Sequence, residues 1–348
     1  MPGGPLFVEA LQRAWDDGDA VLPVDRRLPP AAIERLLASM RLDEPVEDGD
    51  ALVVATSGTS GEPKGAVLTH AAVRASATAT TARLGVDPGR DRWLACLPLG
   101  HIGGLSVVTR ALLTNTALVV HDGFDAPLVE DAAAHGATLV SLVPTALQRV
   151  DTSLFRVIVL GGSPPPDELP DNVVTTYGMT ETGSGVVYDG QPLDGVEMRI
   201  GADGEVQLRG PMLLRTYRDG LDPKDSEGWF ATGDLGELDS SSGRLRVFGR
   251  ADDLIISGGE NVWPDAVQAV LVEDPDVIDA AVVGRPDAEW GQRVVAVIVA
   301  ADAGRPPPLD RLRDAVKERI GSWAAPREIE LVDVIPRTAL GKVRRRDL

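Results

Sequence analysis

The feature that most constrains this chain is a ten-residue loop. Thr56-Ser57-Gly58-Thr59-Ser60-Gly61-Glu62-Pro63-Lys64-Gly65 follows the apolar run Leu52-Val53-Val54-Ala55. The run has the makeup of a buried strand. The loop is built from hydroxyls, glycines and one lysine. Small residues let successive backbone N–H groups turn inward around phosphate oxygens, and glycine accepts the dihedrals this needs. The chain holds only four lysines, at positions 64, 224, 317 and 342, against thirty arginines. One of the four in this loop puts a compact ammonium where a polyphosphate suits it. The loop is not the ordinary P-loop, because Pro63 precedes the lysine and Gly65 follows it, where Gly-Lys-Ser/Thr is required. Gly-x-Gly-x-x-Gly, His-Glu-x-x-His, Cys-x-x-Cys and Gly-x-Ser-x-Gly do not occur.

The length of 348 residues suits two domains, or one large domain with an appendage. A formal charge of -19 argues against DNA, RNA or an anionic membrane as partner. A small polyanion still fits a locally positive pocket. Cys96 is the only cysteine, so no disulfide forms within the chain, and its apolar setting makes it a core residue. A cytoplasmic location fits. With Glu9, Asp16, Asp17 and Asp19 the start of the sequence does not read as a signal peptide, and no apolar run is long enough to span a bilayer. Arg344, Arg345 and Arg346 read as a solvated basic terminus.

Periodicity predicts a helix over 6–15, a strand over 20–24, a helix over 30–40 and an acidic linker over 41–50. From residue 51, strands and helices alternate: strand, phosphate loop, helix 70–83, strand 93–97, helix 103–113, strand 117–121, helix 126–135, strand 138–142, helix 144–150 and strand 156–160. The loop is expected to run through Gly65-Ala66-Val67-Leu68-Thr69 directly into a helix. This alternation argues for a parallel sheet with helices packed on it. After Gly161 short alternating segments, 196–200 and 205–209, suggest antiparallel strands. The tail predicts strands at 277–283, 293–299 and 328–332 and a helix at 309–320.

Six further segments stand in line with the first loop: Leu97-Pro98-Leu99-Gly100-His101-Ile102-Gly103-Gly104, Gly161-Gly162-Ser163-Pro164, Tyr177-Gly178-Met179-Thr180-Glu181-Thr182, Thr232-Gly233-Asp234-Leu235, the run from Gly249 to Asn261, and the run from Pro336 to Arg345. Their types and order resemble the adenylate-forming superfamily, which holds acyl-CoA synthetases, adenylation domains and firefly-type luciferases. The resemblance runs from about residue 20 to the end. It implies an α/β fold. A large N-terminal domain of parallel sheets, helices and a small antiparallel β subdomain would occupy 1–251, and a small mobile α+β domain 252–348.

The resemblance also implies a two-step reaction. ATP and a carboxylic acid give an acyl-adenylate and pyrophosphate, and a thiol, usually that of coenzyme A, then displaces AMP. A carboxylate is already ionised at neutral pH and needs no general base. Lys342 would neutralise charge at the α-phosphate, and Glu181 would hold Mg²⁺. Thr180 and the loop residues Thr56, Ser57, Gly58, Thr59, Ser60, Gly61 and Lys64 would face the phosphates. Tyr177, Gly178, Gly161, Gly162 and Ser163 would meet the adenine, Asp234 the ribose, and Arg250 the ribose or phosphate. Asp252 matches the hinge position, and Gly258 the thiol channel. His101 matches a position bordering the carboxylate pocket, which would be drawn from 97–105, 140–145, 161–165 and 176–185. No aspartate lies in 97–104 to hold an ammonium, so an acid without an α-amino group is favoured.

Only about fifty residues precede the loop, so the N-terminal domain is expected to be shortened. In this the chain is most similar to the short o-succinylbenzoate–CoA ligases of menaquinone biosynthesis in actinobacteria. Another aryl or acyl acid, or a carrier protein in place of coenzyme A, stays open, as does self-association into a homo-oligomer.

Overall fold

The computed structural model describes residues 3–57, 63–166, 168–337 and 342–348. In chain order the first elements are α1 (Pro5–Asp16), α2 (Pro30–Ser39), β1 (Asp50–Ser57), β2 (Pro63–Thr69), α3 (His70–Arg83), β3 (Arg92–Ala95), α4 (Ile102–Leu113), β4 (Ala117–Val120), α5 (Ala126–Ala134), β5 (Leu139–Leu142), α6 (Pro144–Leu147) and β6 (Val157–Leu160). Then come the strands β7 (Val173–Met179), β8 (Ser184–Tyr188), β9 (Gln191–Pro192), β10 (Glu197–Ile200), β11 (Glu205–Arg209), β12 (Thr216–Tyr217), β13 (Phe230–Leu238) and β14 (Leu245–Arg250). The last are β15 (Ile255–Ser257), β16 (Glu260–Val262), α7 (Pro264–Leu271), β17 (Val277–Asp287), β18 (Gly291–Ala300), α8 (Leu309–Arg319) and β19 (Glu328–Leu331). They form two compact units. The first holds residues up to Arg199 with Gln207–Ala231 and Leu238–Leu245, and the second holds Ile200–Val206, Thr232–Glu237 and Arg246–Leu348.

The first unit is centred on a seven-stranded sheet of order β4-β3-β5-β6-β7-β8-β9. Strands β3 to β7 run parallel, and β8 and β9 add on antiparallel. All four residues of β5 are buried, as expected of a parallel strand covered by helices. Leu94, Cys96, Val140, Leu142, Ile158 and Leu160 share one core with Val129 and Ala146. Thr69 caps α3 by accepting the Ala72 N–H, and Asp125 caps α5 by accepting that of Leu128.

A second sheet of this unit, order β1-β2-β12, is antiparallel. It corrects the expected path of the phosphate loop. Gly65 to Thr69 are not loop but form most of β2, which pairs back along β1 with Thr56 opposite Lys64 before the predicted helix begins at His70. Ala66, Val67 and Leu68 are buried there, and β-branched and apolar residues on a covered surface favour a strand over a short helix. The predicted strand at 20–24 reduces to a single parallel bridge, Val21 with Leu52, because Pro23 removes a donor from the ladder. The helix predicted over 144–150 ends at Leu147.

In the second unit β16-β15-β18-β17 form a sheet to which β19 adds, parallel to β18. Both faces of β17 and β18 are covered. One buries Ala280, Val282, Val294 and Ala296 against Leu271, Leu312 and Val316 of α7 and α8. The other buries Ala281, Val283, Val295 and Val297 with Ile335. The basic terminus is not solvated throughout. Arg345 is largely buried, donating to Asp253 at 3.0 Å, to Asp265 and to the Val282 carbonyl. Two carboxylates within reach give its planar fork a better place than water. Among the described residues no helix is long and apolar enough to cross a membrane.

Candidate active site

In the first unit the predicted residues gather where the parallel strands end. The loop Leu97–His101 follows β3, Gly161–Ser163 follow β6, and Thr180–Thr182 follow β7. The C-terminal edge of a parallel sheet is where α/β folds bind their ligands. Close backbone packing fixes these loops. A Cβ on Gly178 would lie 2.2 Å from the Ser184 carbonyl oxygen, and one on Gly161 would lie 2.5 Å from Oγ1 of Thr176. The turn carrying Thr180 and Glu181 is tied by buried Thr182, whose Oγ1 accepts the Met179 N–H at 2.9 Å and donates to the Ser184 carbonyl at 2.6 Å. Tyr177 sits on β7 opposite Val187.

Lys64, Tyr217 and Glu181 come together. The Lys64 ammonium lies 5.0 Å from the centre of the Tyr217 ring, and the Tyr217 hydroxyl donates to Oε1 of Glu181 at 2.9 Å. The backbone repeats this link, since the Leu214 N–H donates to the Glu181 carbonyl at 2.7 Å and that of Arg218 to the Gly65 carbonyl at 2.7 Å. The other lysines serve differently. Lys224 donates to the carbonyls of Leu214 and Arg215, and Lys317 pairs with Asp314. Thr56 and Ser57 end β1, while Gly58, Thr59, Ser60 and Gly61 lie outside the described residues.

His101 precedes α4, with Nε2 3.3 Å from Oδ2 of Asp25. The Arg27 guanidinium grips the same carboxylate, at 3.0 Å from Nε to Oδ1 and 2.7 Å from Nη2 to Oδ2. The hydrogen bonds from Arg27 hold Asp25 down at a pKa of about 2, against the opposing effect of burial. Burial pushes the His101 pKa down, the charge of Asp25 offsets part of this, and Arg27 adds to it. A histidine lowered from 6.5 is neutral at physiological pH. Gly100 permits the approach, since a Cβ there would lie 2.7 Å from the Asp25 backbone nitrogen.

In the second unit Asp234 and Arg250 meet. Nη1 of Arg250 donates to the Thr232 carbonyl at 2.7 Å and lies 3.4 Å from Oδ1 of Asp234. Asp252 lies exposed in the single turn Ala251–Asp253. Gly258 has a φ of +62°, its N–H donates to the Trp290 carbonyl at 2.9 Å, and a Cβ there would press on the Trp290 ring at 2.6 Å. Lys342 is exposed, next to Val343, which bridges Arg337.

Sequence reasoning missed Asp25, Arg27 and Tyr217. Two signals were available. Asp25-Arg26-Arg27 is a charged cluster directly after an apolar run, and Tyr217 is one of only three tyrosines. Among the described residues no three acidic, histidine or cysteine side chains converge on one point. Mg²⁺ takes one or two carboxylates and otherwise substrate phosphates and water. The Glu181 carboxylate accepts its hydrogen bond from a neutral hydroxyl, that of Tyr217.

Residues 38–218 match the model of the AMP-binding enzyme, and residues 266–342 that of the AMP-binding enzyme C-terminal domain. The chain is 42% identical over 364 residues to a probable 2-succinylbenzoate–CoA ligase of Mycobacterium tuberculosis, covering 98% of this chain and 93% of that protein. It resembles the o-succinylbenzoate CoA synthetase of Bacillus subtilis in complex with the acyl-adenylate intermediate, with a TM-score of 0.80 and 31% identity over 97% of this chain and 80% of that one. The same Bacillus subtilis enzyme in complex with ATP and magnesium gives a TM-score of 0.79 at 31% identity, over 98% of this chain and 81% of that one. The chain belongs to the AMP-binding enzyme family.

Proposed function

We propose that this chain is an ATP-dependent acid–CoA ligase that activates 2-succinylbenzoate through an acyl-adenylate. The observation that carries this is the 42% identity, spread over 98% of the chain, to a relative bearing that activity in its name. The site chemistry agrees with it. The attacking carboxylate needs no base, so the demand is for positioning and for positive charge around the phosphates.

Lys64 supplies charge at the phosphate loop, and Thr56 to Gly61 supply backbone and hydroxyl donors. Lys342 supplies charge at the α-phosphate during adenylation. Glu181 and Thr180 flank the phosphates, and Glu181 would hold Mg²⁺, which screens phosphate charge when bound. Tyr177 and Gly178, with Gly161 to Ser163, receive the adenine. The Asp234 carboxylate, steadied by Arg250, accepts from the ribose hydroxyls. His101 borders the acid as a neutral ring. The domain boundary lies at Asp252, whose backbone reorients the residues after it between the two half-reactions, and Gly258 leaves room for the thiol arm of coenzyme A. A cytoplasmic setting suits a chain whose single cysteine is buried as a free thiol.

The test is pyrophosphate release by purified protein with ATP and Mg²⁺ across a panel of acids, with and without coenzyme A. Release that depends on 2-succinylbenzoate, with a coenzyme A thioester as product, is the expected result. Release with a different acid alone would reject the substrate and keep the reaction. Release without thioester formation would reject coenzyme A as acceptor.

A further inference from the structure

Lys64 and Glu181 carry opposite charges on neighbouring elements, and among the described residues neither forms an ion pair. Tyr217 holds both. Its ring faces the ammonium at 5.0 Å, and its hydroxyl donates to the carboxylate at 2.9 Å. The backbone of Tyr217 is held in place. Tyr217 pairs with Ala66 on β2, two residues beyond Lys64, and its N–H donates to the Leu221 carbonyl at 2.8 Å.

We propose that Tyr217 is a positioning residue that seats the phosphate-loop lysine on its ring and orients the Glu181 carboxylate with its hydroxyl. The physical reason is charge economy. A direct Lys64–Glu181 pair would cancel both charges before a nucleotide arrived. A neutral tyrosine orders both groups and cancels neither. Cation–π attraction locates the ammonium and leaves its N–H donors for phosphate oxygens. A phenol hydroxyl on Oε1 restricts rotation of the carboxylate and leaves Oε2 for a cation. This rests on the reading above in which Lys64 meets phosphate and Glu181 holds the metal.

Tyr217→Phe and Tyr217→Leu separate the two contacts, because the first keeps the ring and loses the hydroxyl, while the second loses both. ATP affinity is measured by calorimetry in EDTA and again with Mg²⁺, together with the Mg²⁺ concentration that half-saturates pyrophosphate release. Expected for Tyr217→Phe is unchanged metal-free ATP affinity and a rise of about three- to tenfold in the Mg²⁺ requirement, the scale of one hydrogen bond. Expected for Tyr217→Leu is the same rise plus a loss of about threefold or more in metal-free ATP affinity, the scale of a cation–π contact. An unchanged Mg²⁺ requirement in Tyr217→Phe overturns the proposal, as does an equal loss of ATP affinity with and without metal. Glu181→Gln tells the two layers apart. If it raises the Mg²⁺ requirement and Tyr217→Phe does not, the tyrosine assignment alone fails. If Glu181→Gln leaves the requirement untouched, the carboxylate reading fails and the proposal falls with it.

Discussion

Nε2 of His101 lies 3.3 Å from Oδ2 of Asp25, a carboxylate that Arg27 already holds in a two-pronged grip. The Asp25 side chain is 6% exposed, so its charge acts on the ring with little screening. It does so without an aligned hydrogen bond, since buried Nε2 has no hydrogen-bond partner among the described residues. Asp25 thus acts on the imidazole through its charge.

Removing that charge has a defined direction. Burial lowers the His101 pKa, and Asp25 opposes the fall. Asp25→Asn keeps the burial and loses the opposition, so the His101 pKa drops further. Ring-nitrogen NMR across a pH titration measures it. The acid limb of kcat/KM is expected to move the same way. An upward shift of the His101 titration would contradict the geometry.

A second buried carboxylate contributes to acid stability. The Asp91 side chain is 1% exposed and accepts from Arg156 at 2.9 and 2.7 Å, from Thr138 at 2.9 Å and from the Asp87 N–H at 2.8 Å. Burial works against its charge, but these donors outweigh it and hold the pKa below 3.8. A depressed folded-state pKa contributes stability above the unfolded value, lost as pH falls through the folded one. Asp91→Asn is therefore expected to cost about 3 kcal/mol near neutral pH, because it leaves the arginine without its counter-charge. The gap to the unaltered protein should hold down to about pH 5 and narrow below about pH 4. Urea unfolding at a series of pH values checks this, and a gap that widens in acid would refute it.

The role proposed for Lys342 predicts that its loss affects the two half-reactions unequally. Lys342→Ala is expected to slow pyrophosphate release by about 10²–10³-fold, the usual cost of one preorganised stabiliser. Thioester formation from preformed acyl-adenylate should be spared. Equal loss in both steps, followed by single-turnover kinetics, would remove Lys342 from the role given to it.

The parallel sheet was legible because its strands carry their own signal. Leu139-Val140-Ser141-Leu142 and Val157-Ile158-Val159-Leu160 are apolar runs between helical periods, and burial on both faces leaves no ambiguity. Strand β2 was not legible, because Gly65-Ala66-Val67-Leu68-Thr69 is too short to show a period and its identity comes from pairing with β1 and β12. The site followed the same division. Glycines, the lysines and Glu181 stand in local patterns that one sequence displays. Asp25 and Tyr217 act through partners 76 and 36 residues away, and no local pattern encodes a contact made by folding. Arg345 went the same way, its partner Asp253 lying 92 residues back.

Gly103 and Gly104 look interchangeable in sequence and are expected to respond oppositely. Both lie in the first turn of α4. A Cβ on Gly103 would meet only Leu97 Cδ1 at 3.7 Å, an ordinary contact. Neither glycine has a left-handed φ, so Gly103→Ala adds helix propensity and removes unfolded-state freedom without strain. It should stabilise by about 0.5–1 kcal/mol. A Cβ on Gly104 would lie 2.4 Å from the Leu97 carbonyl oxygen and 2.6 Å from that of Pro98. Those atoms are backbone and cannot rotate aside, so Gly104→Ala must push α4 away from the loop that carries His101. A cost of about 2 kcal/mol or more is expected, as for other overpacked sites. Urea unfolding of the two variants beside the unaltered protein gives the sign of each. Destabilisation of equal size in both would mean that the close approach of α4 to the Leu97–His101 loop is not what requires glycine here.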